Sequence, residues 1–250
     1  MPGQWDSIGD PRSEASKRKD IVPRGDYRSS PPGKLTFFVL RSLEPVLYGL
    51  PAQTGIGLID GLGLSPYRLA LLAMSVGSVV KQNIWVTTLS RDPMTVGAAV
   101  AIAMLNAASN SLSTYAFVTS VSSASNEGDF PQPALLIGST LYVAGLLTEL
   151  VAEIQRARFK ADPNNKGKVC TGGLWSLARH INYGGYMMWR AGYAMAGGGY
   201  GLGALVAAFW AWDFSQRAIP VLSEYCEKRY GAQWESYRQK TPYKLNPYVY

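Results

Sequence analysis

Charged residues are scarce in this chain of 250 residues, where Asp, Glu, Lys and Arg make up 16% against 47% hydrophobic residues. Soluble domains usually carry about 25% charged residues, so the deficit argues against an ordinary water-soluble domain. Histidine occurs once and cysteine twice. A single histidine excludes an HExxH zinc motif, and Cys170 and Cys226 have no CxxC spacing. We therefore expect neither a bound metal nor a disulfide framework.

The few charges are unevenly distributed along the chain. Residues 35–155 contain four Lys and Arg against seven Asp and Glu, whereas residues 156–250 contain thirteen against five. The excess positive charge therefore belongs to the C-terminal part. A basic surface suits nucleic acid, anionic lipid or a phosphorylated small molecule. Because the basic segments interrupt long apolar blocks, we expect no nucleic acid partner.

Long apolar blocks dominate the rest of the sequence. A membrane-spanning helix needs about 20 mostly apolar residues, and prolines at the block edges mark places where helices can begin or end. The sequence predicts an all-α fold, a multi-pass transmembrane helical bundle embedded in the lipid bilayer. The six candidate blocks are 35–50, 67–90, 94–120, 133–155, 176–196 and 200–222.

The first block differs from the others because it is short and contains charge. Arg41 and Glu44 are spaced for an i,i+3 ion pair on a helix. The block either spans the membrane or lies as a re-entrant or interfacial segment, and the sequence does not decide between these alternatives.

Three regions follow from this division of the chain. We predict a disordered polar tail at 1–34, transmembrane helices at 35–145 and a distinct C-terminal region at 146–250. The loop at 156–170 is rich in Lys and Arg, whereas the loop at 121–132 contains neither. The positive-inside rule then places both chain termini in the cytosol.

The single histidine lies in the string ARHINYGG, Ala178 to Gly185. Arg179, His180, Asn182 and Tyr183 place four polar groups next to an apolar block. Polar groups at membrane depth are costly unless they are satisfied or line a wet cavity. The simpler alternative is that the arginine and the histidine extend to the lipid headgroups. That alternative does not explain the neighbouring asparagine and tyrosine.

A basic pair follows the fourth apolar block. On a helix, Glu149, Glu153, Arg156 and Lys160 share one face. Two cations at this spacing suit a phosphate group. The alternative is a positive-inside anchor, which we favour for three other basic residues, Arg158, Lys166 and Lys168.

Two further patterns have more than one interpretation. The segment 227–250 is rich in aromatic residues, which suit either a membrane-interface belt or a stacking surface for a flat base. Gly199, Gly201 and Ala204 match the spacing GxGxxA. No strand precedes them and they lie in a glycine-rich turn between two blocks, so we exclude a Rossmann fold.

Three ordered motifs resemble one known family. The string GLWSLARHINYGG resembles the signature GLW…RHPNYxG, followed by Glu or Asp, in the C-terminal domains of sterol reductases and steroid 5-alpha-reductases. The upstream QRARFKADPNNKGK resembles their QK..FR segment, and the ending WESYRQKTPYKLNPYVY resembles the ending of sterol C-14 reductases. The motifs cover residues 150–250. Small fungal-type reductase-like membrane proteins are the most similar subgroup by length.

The resemblance implies a cytosol-facing NADPH pocket at one end of a helical bundle.

That pocket would bind NADPH, which reduces a C=C bond of a lipophilic small-molecule substrate: a sterol, a steroid or an enoyl lipid. The resemblance also implies residence in the endoplasmic reticulum. It assigns cofactor binding to nine residues, Arg156, Lys160, Trp175, Arg179, His180, Asn182, Tyr183, Glu224 and Tyr230. No motif identifies the proton donor, and Glu149 and Tyr142 are candidates because they lie within an apolar block.

The sequence departs from the family pattern at two positions. Ile181 replaces the proline of the signature, and Tyr186 stands where the family has Glu or Asp. Two other functions therefore remain open. One is an S-adenosylmethionine methyltransferase of the isoprenylcysteine type, whose motif RHPxYxG is similar, although Asn182 and the chain ending favour the reductase. The other is a non-catalytic membrane protein on the same scaffold. The substrate and the oligomeric state stay undetermined.

Overall fold

A computed structural model describes residues 10–20, 24–25, 28–45, 65–118 and 130–250. Most of the stretch 51–66 between the first two apolar blocks, and most of the predicted loop at 121–132, lies outside these residues. The described part contains helices and no strand, which confirms the all-α prediction. Its helices are α1 (Glu14–Lys19), α2 (Pro31–Glu44), α3 (Pro66–Ile84), α4 (Val96–Val118), α5 (Pro133–Ala161), α6 (Ile181–Asp213), α7 (Ile219–Tyr230) and α8 (Ala232–Lys240).

Four segments are long and apolar enough to cross a membrane: Pro66–Leu89, Val96–Phe117, Pro133–Ala161 and Ile181–Tyr230. Large apolar side chains on their outer faces are exposed, among them Val80, Leu112, Leu147 and Leu205. Exposed apolar surface on this scale is expected where lipid replaces water around the protein. The prediction of a membrane-embedded helical bundle is therefore confirmed at this level.

The last of these segments turns back on itself at Gly199. This residue has φ 77° and ψ −178°, a conformation that favours glycine. The rings of Tyr186 and Trp210 are 4.9 Å apart, whereas a straight helix would separate them by about 36 Å. Two antiparallel helical halves thus correspond to the separate blocks predicted at 176–196 and 200–222, with the glycine-rich turn between them.

Helix α2 is the shortest helix in the apolar part of the bundle. Its 14 residues span about 21 Å, less than the roughly 30 Å of the hydrocarbon core. The predicted i,i+3 ion pair between Arg41 and Glu44 is present, and both side chains are buried. The remaining residues of this block, 46–50, lie outside the described residues.

Helices α5 and α6 approach each other through glycines. A Cβ atom added to Gly145 would lie 2.5 Å from the backbone nitrogen of Trp189, and one added to Gly192 would lie 2.5 Å from that of Tyr142. Small residues at such positions allow the backbones of membrane helices to touch. The contact places the start of α6 beside the last turns of α5, where the predicted site residues lie.

The polar tail contains a helix where we predicted disorder. Ser13 caps α1, and the guanidinium of Arg12 pairs with Asp10 at 2.6 Å and with Asp20 at 2.7 Å. Glu224 of α7 accepts a hydrogen bond from the backbone N–H of Ser13 at 2.7 Å. A partner distant in the sequence therefore holds this segment, and composition alone does not reveal such a partner.

Candidate functional site

A cavity of about 940 Å³ lies at one end of the bundle. The end of α5, the start of α6 and the helices α7 and α8 form much of its wall. The start of α2 and the connection between α3 and α4 complete it. Six of the nine predicted cofactor-binding residues line this one cavity: Arg156, Lys160, Trp175, Arg179, His180 and Tyr230.

The charge of the cavity wall is strongly positive. Nine basic residues and two carboxylates line it in the part of the chain that the structure describes, so an anionic ligand would be attracted into it. The basic residues are Arg24, Arg28, Lys34, Arg91, Arg156, Lys160, Lys166, Arg179 and Arg229, and the acids are Asp92 and Asp162.

Arg156 is positioned by its own helix and by residues in and just before the histidine motif, the string Ala178 to Gly185. Its Nη2 donates to Glu153 Oε2 at 2.6 Å, and its guanidinium lies 5.6 Å from the ring centroid of Trp175. The other carboxylate oxygen, Glu153 Oε1, accepts from Asn182 Nδ2 at 2.8 Å. Trp175 is itself held by a 2.9 Å hydrogen bond from Nε1 to the carbonyl of Ala152. The carboxylate of Glu153 thus joins α5 to the start of α6.

Lys160 lies one helical turn beyond Arg156 on the same side of α5. Its ammonium donates to the carbonyl of Lys168 at 2.5 Å and to the hydroxyl of Tyr230 at 3.1 Å. The ammonium also lies 4.9 Å from the ring centroid of Tyr230, which is a cation–π distance. Two predicted site residues from α5 and α7 therefore meet at the cavity wall.

Arg179 fastens the C-terminal tail to the histidine motif. Its Nη1 donates to the carbonyls of Thr241 at 2.6 Å and Pro242 at 3.1 Å. The backbone N–H of Arg179 donates to Tyr243, and that of His180 donates to Lys244 at 2.8 Å. These bonds hold the histidine motif in one conformation. The end of the chain, which resembles the ending of sterol C-14 reductases, therefore supports this site and does not form a second site.

His180 is buried in the cavity wall, with 1% of its surface exposed. Its ring stacks on Tyr183 at 5.6 Å and lies edge-on to Trp234 at 6.3 Å. Both imidazole nitrogens, and Nε1 of Trp234, lack a hydrogen-bond partner in the described structure. Burial lowers the pKa of His180 to about 3, so the ring is neutral at physiological pH. Unsatisfied buried polar atoms beside a basic cavity fit a polar, anionic ligand.

Three predicted cofactor-binding residues do not line the cavity. Asn182 lies behind it, against Glu153. The ring of Tyr183 stacks on Phe214 at 4.9 Å. Glu224 faces the N-terminal segment and accepts from Lys228 Nζ at 2.8 Å. Their roles in cofactor binding stay predictions.

The two candidate proton donors lie inside the bundle, away from the cavity lining. Glu149 pairs with Lys81 and accepts from Trp189 Nε1 at 2.6 Å. The hydroxyl of Tyr142 donates to the carbonyl of Met74 at 2.6 Å. Both side chains have partners within the bundle, and their catalytic role stays a prediction.

Several cavity residues escaped the sequence interpretation. Arg24, Arg28 and Arg91 belong to segments without a recognisable motif. Trp234 lies in the aromatic segment for which a stacking surface was one of two interpretations. Of these four residues, only Trp234 had a signal in the sequence, since the three arginines reach the cavity through tertiary contacts.

These features define a class: a helical membrane protein with a basic cavity at one end of its bundle. The chain belongs to the family described as a protein of unknown function, DUF1295, whose model matches residues 81–241. The matched region begins in α3 and ends just after α8, so it contains the last turns of α5 and the histidine motif.

Individual relatives carry two different names. A probable O-methyltransferase, ustE, of Ustilaginoidea virens is 37% identical over 85% of this chain and 84% of its own length. The Delta(14)-sterol reductase ERG24B of Gibberella zeae is 28% identical over 44% of this chain, and the Delta(14)-sterol reductase of Arabidopsis thaliana is 25% identical over 50%. The chain spans 33% and 37% of the lengths of these two reductases.

Proposed function

We propose that this protein is a membrane-bound, NADPH-dependent reductase of a C=C bond in a lipophilic substrate. The observation that carries the proposal is the surplus of nine basic residues over two carboxylates among the described residues around one cavity. NADPH carries a pyrophosphate and a 2′-phosphate, so it requires several cationic partners. The similarity to Delta(14)-sterol reductases supports the same assignment.

The chain's own residues account for the binding of such a cofactor. Arg156 and Lys160 are the pair proposed to hold the 2′-phosphate, and Arg24 adds a cation from the N-terminal segment. The rings of Trp234 and Tyr230 offer aromatic surface to a flat base. His180, neutral and without a partner, offers a donor and an acceptor to a neutral polar group of the cofactor.

When bound, NADPH supplies the hydride for reduction. The protein orients it through the basic wall and keeps the substrate in apolar surroundings inside the bundle. A lipophilic substrate can enter from the bilayer, because apolar side chains cover the outer surface of the helices. The proposal places the basic end in the cytosol, where the positive-inside rule puts Lys and Arg, and the protein in the endoplasmic reticulum.

A methyltransferase is the second candidate, because the relative similar over most of the chain is named a probable O-methyltransferase. S-adenosylmethionine carries a sulfonium, an ammonium and one carboxylate, and it has no phosphate. A cavity wall whose described residues include nine basic side chains and two acids is poorly matched to this ligand, since like charges repel. The charge of the cavity therefore favours the reductase.

The test measures thermal unfolding of the detergent-solubilised protein with NADPH, NADH or S-adenosylmethionine. A ligand at 100 times its Kd stabilises a protein by about 2.7 kcal/mol. We expect the largest increase in Tm with NADPH and a smaller one with NADH, which lacks the 2′-phosphate. S-adenosylmethionine is expected to leave Tm unchanged.

Other outcomes would count against the reductase. Stabilisation by S-adenosylmethionine alone would establish the methyltransferase, and no stabilisation by any of the three ligands would contradict both candidates. Oxidation of NADPH in the presence of a steroid or sterol with a conjugated C=C bond, followed by absorbance, extends the test from binding to turnover.

A further inference from the structure

The interior of the bundle has more positive than negative charge among its described residues. Apart from Glu153, which pairs with Arg156 at the cavity, three basic and two acidic side chains are buried between the helices: Arg41, Lys81, Arg190, Glu44 and Glu149. Lys81 pairs with Glu149, and Arg41 pairs with Glu44. Arg190 has no carboxylate partner among the described residues. Such a cation is costly in a membrane unless something compensates its charge.

Arg190 lies at the middle of the first half of α6. It is about 14 Å along the helix from both Ile181 and the turn at Gly199. Its Nε donates to the hydroxyl of Tyr186 at 3.0 Å, and its Nη1 donates to Asn110 Oδ1 at 2.9 Å. Nη2 has no acceptor, although only 2% of the residue is exposed. The guanidinium lies over the rings of Trp189 at 4.4 Å and Tyr186 at 5.2 Å, which stabilise its charge in part, and it retains an unused donor without a described carboxylate partner.

Arg41 has a similar unused donor. Its Nε donates to Gln82 Oε1 at 2.5 Å, and its Nη2 lacks an acceptor in a side chain that is 0% exposed. Asn110 connects the two arginines, because its Nδ2 donates to Glu44 Oε1 at 2.6 Å while its Oδ1 accepts from Arg190. Two guanidinium groups thus share one carboxylate through one asparagine.

The residue one turn before Arg190 on α6 explains why the charge is unbalanced. Tyr186 offers a neutral hydroxyl at the position where the resembling reductases carry Glu or Asp. An acid there would lie at i,i+4 spacing and neutralise Arg190 within the chain. With tyrosine, the missing negative charge can come from a ligand.

We propose that Arg190, assisted by Arg41, binds the carboxylate of a lipophilic substrate inside the bundle. Guanidinium groups match carboxylates in charge and in hydrogen-bond geometry. An aromatic surface for the apolar body lies beside Arg190, where Tyr186 is 5.1 Å from Trp189 and 4.9 Å from Trp210. The inference deepens the proposed function, on which it rests, by naming the class of substrate.

Arg190 also lies where one substrate molecule, bound to it, would point towards a cofactor in the cavity. His180 in the cavity wall and Arg190 are ten residues apart on one helix, about 15 Å. Between them lie the rings of Tyr183 and Tyr186, both within 6 Å of Phe214. A substrate anchored at Arg190 would therefore extend along an aromatic wall towards the proposed cofactor.

The test compares palmitate with methyl palmitate as probes, by thermal unfolding and by fluorescence titration of the full-length protein in neutral detergent. Wild type is expected to bind palmitate at least tenfold more tightly than the ester. Arg190→Gln should remove this preference. Tyr186→Glu should also remove it by supplying an internal carboxylate, whereas the matched neutral change Tyr186→Gln should preserve it.

The results separate this inference from the proposed cofactor. Equal binding of palmitate and its ester by wild type, or an unchanged preference in Tyr186→Glu, would overturn the carboxylate site. NADPH stabilisation is measured on each protein as an independent readout and shows that a variant is folded. Palmitate preference without any NADPH binding would reject the reductase and leave the carboxylate site in place.

Discussion

The cavity wall and the bundle interior both contain clustered basic residues, but their surroundings differ. Among the described residues, nine cations and two acids line the cavity, whereas three cations and two acids, apart from the Glu153 that pairs with Arg156, are buried between the helices. At the cavity, water screens the surplus charge, so the surplus costs little and attracts anions. In the interior the same kind of residue requires a specific partner. The comparison shows that basic residues of the cavity wall attract anions, whereas basic residues of the interior need specific partners.

Breaking the interior ion pair is expected to have the largest effect. Glu149→Gln removes the negative charge that pairs with Lys81 and replaces one of the two acceptor oxygens shared by Lys81 and Trp189 with a donor, which leaves a buried cation. The free energy of unfolding should fall by about 3–5 kcal/mol, the usual cost of breaking a buried pair. Thermal unfolding in detergent measures the change. The double variant Lys81→Met/Glu149→Leu should recover much of the loss, and a failure to recover would contradict the pairing argument.

His180 combines features of the two regions, because it is buried yet belongs to the cavity wall. Its burial can be tested through the pH dependence of stability. Its pKa is about 3 in the folded protein against 6.5 without burial. The unfolded chain therefore binds a proton that the folded chain does not, and stability falls as the pH drops from about 6.5 towards about 3. His180→Gln should lose less Tm than wild type between pH 7 and pH 4.5. Equal losses would show that His180 is not buried as described.

The basic cavity is tested by comparing two arginines of one helix. Arg156 lines the cavity, whereas Arg158 is exposed and does not. Arg156→Gln should weaken NADPH by about tenfold, the equivalent of 1.4 kcal/mol, and weaken NADH less. Arg158→Gln should change neither affinity. Equal weakening of NADPH and NADH by Arg156→Gln would remove the 2′-phosphate role from this residue.

The smallest expected effect concerns the N-terminal segment, which adds Arg24 and Arg28 to the cavity wall. Glu224→Gln weakens the attachment of this segment at Ser13. We expect faster proteolysis within residues 10–25, an NADPH affinity lower by a factor of about three, and little change in Tm. Glu235→Gln on α8 is the matched control. Unchanged proteolysis in Glu224→Gln would contradict the attachment.

Much of the fold was predictable, since long apolar blocks and a glycine-rich turn are local features. The block boundaries shifted by a few residues because caps and prolines determine where helices begin, as at Pro31 and His180. The candidate site was predictable where a motif keeps residues close in sequence, as for Arg179 and His180. It was not predictable for Arg24, because 132 residues separate it from Arg156 and no local pattern joins them.

The sequence by itself determined the class of this protein: apolar blocks of membrane length form helices because the bilayer leaves no other way to satisfy their backbone groups. Tertiary structure alone decided that six predicted residues share a cavity, that Glu224 faces the N-terminal segment, and that Arg190 has no carboxylate partner among the residues described. These outcomes depend on contacts between distant segments, and helical periodicity specifies only which residues share a face, not what that face meets.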